Sequence, residues 1–206
     1  MLYVVTGGSG SGKSEFAERL ALVLRDKNEY EDSTLWYIAT MKPIAGDEEQ
    51  REKILRHQTM RGGKGFLTKE CYMDIDRLQL GDKAVALVEC MSNLLANEMY
   101  AKAGILLEAR ISGGGETGTL STTLAKEAAM QRIVAPIADM SQRLNHMVVV
   151  TNEICSDGKL YEYDDETRLY MELLGYINKE LVDRAFGFVE VFCGIPLWHK
   201  GGRIDV

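Results

Sequence analysis

The fold class of this chain follows from one stretch near its N-terminus, Gly7-Gly8-Ser9-Gly10-Ser11-Gly12-Lys13-Ser14. The stretch matches the pattern G-x-x-x-x-G-K-[ST] at every fixed position. An apolar run from Leu2 to Thr6 precedes it and predicts a buried strand, and a helical pattern follows from about Lys13 to Arg25. A strand, a glycine-rich turn and a helix in this order are typical of a P-loop, which holds the phosphates of a nucleoside triphosphate.

Two side chains of the motif, Lys13 and Ser14, have predicted roles. The Mg²⁺ that accompanies the nucleotide needs a further, acidic ligand. Lys13 is expected to reach the β- and γ-phosphates, and the Ser14 hydroxyl to complete the ligand shell of Mg²⁺. Glu89, directly after the apolar run 84–88, is the first candidate for the acidic partner. Glu153, after a later apolar run, is the second. The sequence leaves open whether either carboxylate instead caps the segment that follows it.

Apolar runs alternate with helical patterns along the rest of the chain. Strands are predicted at 35–39, 66–71, 84–88, 147–151 and 187–193, and helices at 47–60, 92–102, 126–145 and 167–185. Pro136 lies inside the third of these helices, so we expect a kink or a break there. Near-continuous Val, Leu and Ile runs between helices indicate an α/β, P-loop NTPase-like fold, with a mostly parallel sheet and helices on both faces. The tail from Pro196 to Val206 has no usable periodicity.

The length of 206 residues predicts a single domain spanning 1–206. The formal charge is −7 and there is no Lys/Arg block, which argues against nucleic-acid binding. No apolar run approaches the length of a membrane span, and no leader pattern opens the chain. The cysteines form no C-x-x-C, which predicts reduced thiols in a cytoplasmic protein; they are Cys71, Cys90, Cys155 and Cys193.

A glycine-rich segment interrupts this regular pattern between about Ala103 and Ala125. It contains Gly113-Gly114-Gly115 among small polar residues. Such a composition predicts a mobile loop within the domain, and a site of early proteolytic nicking.

One histidine, His57, stands between two cationic residues in the second predicted helix. Lys53 and Arg61 lie four residues to either side of it and so share its helical face. Positive neighbours favour the neutral imidazole, which is the form that can act as a nucleophile, and they can also hold a triphosphate. The pattern leaves open the alternative of a surface histidine among solvated charges.

A P-loop fixes the class of ligand but not the reaction. After the run that ends at Thr151 the chain reads Asn152-Glu153-Ile154, which differs from the N-K-x-D element with which GTPase switches read guanine. The length favours a small-molecule kinase over a larger motor ATPase.

Further short motifs, in order along the chain, make the sequence similar to one known family. They are Val5-Thr6-Gly7-Gly8, Ser11-Gly12-Lys13-Ser14, Tyr37-Ile38-Ala39-Thr40, Arg56-His57, Lys69-Glu70-Cys71, Leu87-Val88-Glu89-Cys90, Val150-Thr151-Asn152-Glu153, and Thr167-Arg168-Leu169 with Gly175, Asn178 and Leu181. With these motifs the chain resembles, over nearly its whole length, the bifunctional adenosylcobinamide kinase/adenosylcobinamide-phosphate guanylyltransferase family of cobalamin biosynthesis.

The resemblance implies two reactions at one nucleotide site, with ATP, GTP and Mg²⁺ as ligands. In the first, a γ-phosphoryl group moves to the hydroxyl of the aminopropanol arm of adenosylcobinamide. In the second, a histidine attacks the α-phosphate of GTP and expels pyrophosphate, and adenosylcobinamide phosphate captures the guanylyl group as adenosylcobinamide-GDP. The resemblance identifies His57 as that histidine. It also implies a homotrimer with nucleotide sites near the subunit boundaries.

The family's site residues carry over onto several parts of the chain. Its nucleotide contacts fall on Gly7 to Ser14 and on Ala39, Thr40, Met41, Gln58, Thr59, Met60, Arg61, Glu70 and Glu89. The catalytic roles fall on His57 and Lys13, and the metal on Ser14 and Glu89. Since a carboxylate can accept hydrogen bonds from guanine N1–H and N2–H₂ together, Glu70 or Glu89 is expected to read the base.

The chain departs from the family pattern at three places. Gly10 replaces the usual arginine, which removes one phosphate contact and bears on kinase efficiency. Arg56 stands where a second histidine often precedes the nucleophile, and the segment around 103–125 is longer than usual. Two other readings stay open at this point: a small-metabolite kinase without guanylyl transfer, and a nucleotide-binding regulatory protein.

Overall fold

The computed structural model describes residues 1–27, 33–44, 46–111, 120–154 and 162–206. Strands in these residues are β1 (Leu2–Thr6), β2 (Leu35–Ala39), β3 (Leu67–Glu70), β4 (Val85–Glu89), β5 (His146–Val150), β6 (Gly187–Phe192) and β7 (Ile195–Lys200). The α-helices are α1 (Lys13–Asp26), α2 (Glu48–Arg61), α3 (Met91–Met99), α4 (Ile105–Ile111), α5 (Thr122–Ala129), α6 (Ala135–Arg143) and α7 (Asp165–Arg184). There is also a 3₁₀ turn at Ile75–Arg77 and a π-helical turn at Met130–Val134.

The strands form one sheet in the order β3-β2-β4-β5-β1-β6-β7. Strands β1 to β6 are parallel, and β7 alone pairs antiparallel, with β6. This arrangement confirms the predicted α/β fold with a mostly parallel sheet. The carboxyl ends of six strands therefore meet at one edge, where ligands bind in open α/β sheets.

Both faces of the sheet are covered, because the parallel strands are apolar on both sides. On one face, α1 buries Phe16, Leu20 and Leu24. On the other face, α3 to α7 bury a larger core that includes Leu94, Ile105, Ile133, Ile137, Leu173 and Ile177. Among the described residues, neither core includes a side chain of α2. No helix within the described ranges is long and apolar enough to cross a membrane.

The sequence predicted the buried strands and the major helices to within a few residues. The helix that was expected to be kinked or split near Pro136 changes its hydrogen-bond pattern there: α5 ends at Ala129, a π-helical turn covers Met130–Val134, and α6 begins at Ala135, with helical backbone angles at each junction. Proline has no amide hydrogen and cannot donate to the preceding turn, and the π-helical turn ends at Val134, just before Pro136.

Two expectations about irregular segments need correction. The loop predicted at 103–125 is too wide, because α4 forms at Ile105–Ile111 and α5 begins at Thr122, with Ile105 and Ala109 fully buried. Residues 112–119, which include Gly113-Gly114-Gly115, lie outside the described residues. The C-terminal tail, for which no element was predicted, contains β7, an edge strand whose side chains alternate between half-buried and exposed.

Candidate nucleotide site

The octapeptide 7–14 joins the end of β1 to the start of α1. A Cβ atom at Gly7 would lie 2.5 Å from the carbonyl oxygen of Val191, so only glycine fits at this position. Gly10 and Gly12 have φ values of 71° and 89°, in the left-handed region that favours glycine. Gly12 is also the N-cap of α1 and provides no side-chain cap. The first amides of a helix are a binding site for phosphate, and this loop leads directly to them.

The side chain of Lys13 folds back over this loop. Its ammonium group donates to the carbonyl oxygen of Gly8 at 3.0 Å. A positive charge above a loop of converging amides is the arrangement that a P-loop uses for the β- and γ-phosphates.

Glu89, at the end of β4, connects the P-loop to the neighbouring strands. The Ser14 hydroxyl donates to its Oε1, and the Tyr37 hydroxyl on β2 donates to its Oε2 at 3.0 Å. Only 9% of Glu89 is exposed. The structure thus brings Ser14 and Glu89 together. Glu153, the second candidate, contacts the loop with its backbone: its amide donates to the Gly7 carbonyl at 3.2 Å.

The pair of Ser14 and Glu89 fits Mg²⁺ chemically. A hydroxyl and a carboxylate are oxygen ligands, and Mg²⁺ usually takes one or two such protein groups together with substrate phosphates and water. Within the described part of the chain, no group of three or more His, Cys, Asp or Glu side chains forms an all-protein metal cage. A metal at this serine and carboxylate would therefore depend on the nucleotide to complete its shell.

The C-terminal end of α2 reaches the same region. Helix α2 begins after Asp47, whose carboxylate caps the amide of Gln50 at 2.9 Å, and it ends at Arg61. The Arg61 guanidinium carbon lies 3.4 Å from the centroid of the Tyr37 ring, which is the geometry of a cation–π contact. Burial, together with the negative charge of Glu89, raises the pKa of Tyr37, so its hydroxyl stays a hydrogen-bond donor.

His57 lies in α2, one helical turn before Arg61. Its imidazole, like the side chains of Lys53 and Met60, lies outside the described part of the structure. The backbone nevertheless puts His57 on the helix whose last residue contacts Tyr37.

The segment after β2 also lies beside Glu89. The amide of Thr40 donates to the Glu89 carbonyl at 3.0 Å, and its hydroxyl donates to the Cys90 carbonyl at 2.8 Å. Thr40 is fully buried, whereas Ala39 and Met41 are half-buried. The Thr40 hydroxyl therefore stabilises the fold. Ala39 and Met41 are the residues of this segment that a ligand could contact.

An open cleft of about 480 Å³ lies beside the end of α2. Its lining residues belong to α2, to the segment that leads into β3 and to β3 itself: Gln58, Arg61, Gly62, Gly63, Gly65, Phe66 and Thr68. Thr59, next to Gln58, is exposed and bonds its own helix at the Leu55 carbonyl. Glu70 lies two strands from Glu89, is exposed, and accepts a hydrogen bond from the Tyr72 hydroxyl at 2.6 Å.

Sequence reasoning missed two features near the site. One is Tyr37, although a tyrosine in a buried strand needs a partner for its hydroxyl, which was a usable signal. The other is a polar chain beside the end of β5. Its bonds run from Thr151 to Asn178 (2.6 Å), from Asn178 to the Asn152 carbonyl (3.2 Å), from Asn152 to Ser92 (2.7 Å), and between Ser92 and Cys90 (2.9 Å). Burial raises the pKa of the Cys90 thiol.

Comparison with known proteins identifies the family to which this chain belongs. The sequence profile of the CobU family, described as cobinamide kinase / cobinamide phosphate guanyltransferase, matches residues 3–198. Two curated relatives, from Salmonella typhimurium and Escherichia coli K12, are each named bifunctional adenosylcobalamin biosynthesis protein CobU. Both are 26% identical to this chain, in alignments that cover 97% of it and 100% of the relative. The chain belongs to the CobU family of cobinamide kinases and cobinamide phosphate guanyltransferases, the enzymes of cobalamin biosynthesis.

Proposed function

We propose that this chain phosphorylates adenosylcobinamide and then guanylylates the product at a single nucleotide site, with His57 as the nucleophile. One observation carries the single-site proposal. Arg61, one turn beyond His57, packs on Tyr37, whose hydroxyl bonds the same Glu89 that accepts from Ser14 of the P-loop. The helix with the histidine and the phosphate loop are thus linked through two side chains.

In the kinase step, the γ-phosphoryl group of ATP or GTP passes to the hydroxyl of the aminopropanol arm. This reaction depends on positioning and on stabilising charge at the phosphate oxygens. Lys13 and the first amides of α1 supply fixed positive charge, and Gly10 supplies an amide without a side chain. Ser14 and Glu89 are the residues that would hold Mg²⁺, which when bound neutralises charge on the β- and γ-phosphates.

In the transferase step, a ring nitrogen of neutral His57 attacks the α-phosphorus of GTP. The bond to the β-phosphate oxygen breaks, and pyrophosphate leaves with its electron pair. A phosphate oxygen of adenosylcobinamide phosphate then attacks the guanylyl-histidine and restores the free ring. An unperturbed histidine is about 90% neutral at pH 7.5, so the reactive form is available.

Recognition of guanine is assigned to Glu70 rather than to Glu89. Both oxygens of Glu89 already accept hydrogen bonds, from Ser14 and from Tyr37. The exposed Glu70 carboxylate is held at one oxygen by Tyr72 and lies at the same edge of the sheet. A carboxylate at that position can accept from N1–H and N2–H₂ of the base.

The resemblance also supports two properties of the whole protein that we include in the proposal. The first is a homotrimer, with nucleotide sites near the subunit boundaries. The second is a cytoplasmic setting, in which the corrinoid and nucleotide substrates are available.

Labelled GTP provides the decisive experiment. Wild-type protein incubated with α-labelled GTP is expected to acquire acid-labile label, whereas γ-labelled GTP is expected to leave none on the protein. His57→Ala is expected to abolish the label and the formation of adenosylcobinamide-GDP, with substantial kinase activity retained, because γ-transfer needs no protein nucleophile. If His57→Ala still takes up the α-label, another residue is the nucleophile.

A further inference from the structure

Helix α2 is attached to the domain mainly at its C-terminal end. Of its described side chains, Arg61 is the one that is buried, with 8% of its surface exposed, while the others are half-buried or exposed. The turn that follows is held by Lys64, whose ammonium lies 2.6 Å from Oε2 of the fully buried Glu18 on α1. The contacts of Arg61 and Lys64 therefore hold the C-terminal end of α2, the helix that contains His57.

The contact that Arg61 makes is with an aromatic ring. Its guanidinium lies 3.4 Å from the centroid of Tyr37, and its Nη1 has no hydrogen-bond partner among the described residues. A buried cation without full hydrogen bonding needs compensation, and the negative face of an aromatic ring provides it. The ring is itself fixed, because Tyr37 is 4% exposed and meets Phe66 edge to face at 6.3 Å.

The hydroxyl of the same tyrosine acts at the other side of the site. It donates to Oε2 of Glu89 at 3.0 Å, while Ser14 donates to Oε1. A hydrogen bond to a charged carboxylate is stronger than one between neutral groups. The bond from Tyr37 therefore holds the Glu89 carboxylate in one rotational position. Tyr37 thus touches both the helix that carries His57 and the carboxylate beside the P-loop.

We propose that Tyr37 is a positioning residue for both reactions: its hydroxyl orients Glu89 toward the metal and phosphates, and its ring seats Arg61 and so orients α2. The inference rests on the proposed function for the role of His57, but its two halves can be measured without turnover. A core tyrosine with no such role would only fill space, and phenylalanine would then replace it without consequence for metal or nucleotide.

Three variants separate the two contacts. Tyr37→Phe removes the hydroxyl and keeps the ring, whereas Tyr37→Leu removes both. Tyr3→Phe is the matched control, because Tyr3 is 3% exposed, packs in the same core as Tyr37, and its hydroxyl donates, within the described ranges, only to the Met1 sulfur at 3.9 Å. Thermal unfolding of each variant establishes that the protein is folded before the other measurements are made.

For the hydroxyl, the readout is the Mg²⁺ concentration that half-saturates binding of a fluorescent GTP analogue. We expect this concentration to rise about tenfold in Tyr37→Phe, the loss typical of one hydrogen bond to a charged group, and to stay unchanged in Tyr3→Phe. Equal Mg²⁺ dependence in Tyr37→Phe and Tyr3→Phe would overturn this half of the proposal.

For the ring, the readouts are amide hydrogen exchange across 48–61 and the rate of guanylylation at saturating Mg²⁺. Tyr37→Leu is expected to exchange faster across the last turns of α2 and to label more than tenfold more slowly, while Tyr37→Phe stays within twofold of wild type in both.

If Tyr37→Leu does not fold, Arg61→Met breaks the same contact and is expected to speed the exchange likewise. Wild-type exchange across α2 in Tyr37→Leu, or in Arg61→Met where it takes the place of Tyr37→Leu, would overturn this half of the proposal. Absence of label in wild-type protein would instead count against the proposed function, with the Mg²⁺ and exchange measurements still deciding the role of Tyr37.

Discussion

Single side chains at the strand ends differ in how far the sequence could predict them. The position of Glu89 beside Ser14 was predictable, because Glu89 directly follows a buried apolar run and parallel strands end at the edge where the P-loop lies. For Tyr37 the sequence indicated that a buried hydroxyl needs a partner, but it did not say that the partner is Glu89. That choice depends on the register of β2 with β4, which pairs Tyr37 with Leu87 and Ala39 with Glu89. Because β2 and β4 are parallel and not consecutive in the chain, no hairpin turn fixes their register, and it follows from the tertiary pairing of the strands.

Lys13 tests whether the two reactions share one nucleotide site. Lys13→Ala is expected to lower both the kinase and the guanylylation rate by about a hundredfold or more, because both transition states develop charge on the phosphates that we propose its ammonium contacts. The measurement is steady-state rates with γ- and α-labelled GTP, with the exposed Lys179→Ala in α7 as the control. Loss of one activity with the other intact would mean two separate nucleotide sites.

Glu89 and Glu153 were the two candidates for the acidic partner of the metal, and a pair of isosteric variants separates them. Glu89→Gln keeps the shape but removes the charge beside Ser14, so we expect a higher Mg²⁺ requirement and at least a tenfold slower kinase step. Glu153→Gln should change neither by more than twofold. Rates measured across a Mg²⁺ titration check this, and the reverse ranking would transfer the metal role to Glu153.

Whole elements were predictable where they are long or fully buried, and they were missed where they are short or lie at the sheet edge. Strands β1, β4 and β5 are fully or almost fully buried, so their apolar runs are continuous. Strand β7 was missed because it lies at the sheet edge, with one face open to solvent and Pro196 within it, so its alternation is blurred. Helix α4 was missed because it is seven residues long, too short for a periodicity to emerge.

Helix α2 has little burial and should depend on its cap. Asp47→Ala removes the bond to the Gln50 amide, a loss of about 1 kcal/mol in helix stability. We expect faster amide exchange in the first turns of α2 and slower guanylylation, with the kinase rate retained. The control is Asp164→Ala, which removes the equivalent cap of α7, a helix that buries Leu173 and Ile177 and should stay formed. An Asp47→Ala protein with wild-type exchange in α2 would contradict this account.

For the molecule as a whole, the sequence predicted the fold and the family, which are confirmed, and a homotrimer, which stays a prediction. The expected solution mass, measured by light scattering, is three times the 23.0 kDa of one chain. Subunit arrangement depends on surface shape, which neither periodicity nor motif spacing encodes. The internal contacts of one chain nevertheless bear on which subunit's histidine serves which P-loop.

Because Arg61 packs on Tyr37, and Tyr37 bonds Glu89 beside Ser14 of the same chain, α2 is tied to its own P-loop. His57 is one turn of that helix, about 6 Å, from Arg61. We therefore expect His57 to act on the nucleotide of its own subunit, even if the site adjoins a neighbour. Trimers reassembled from equal amounts of Lys13→Ala and His57→Ala chains should then take up no more α-label than the two variants do separately. Wild-type chains mixed with His57→Ala chains, as the control, should retain about half the wild-type label. If the mixture of Lys13→Ala and His57→Ala chains takes up much more label than either variant alone, His57 reaches across a subunit boundary, and the site belongs to two chains.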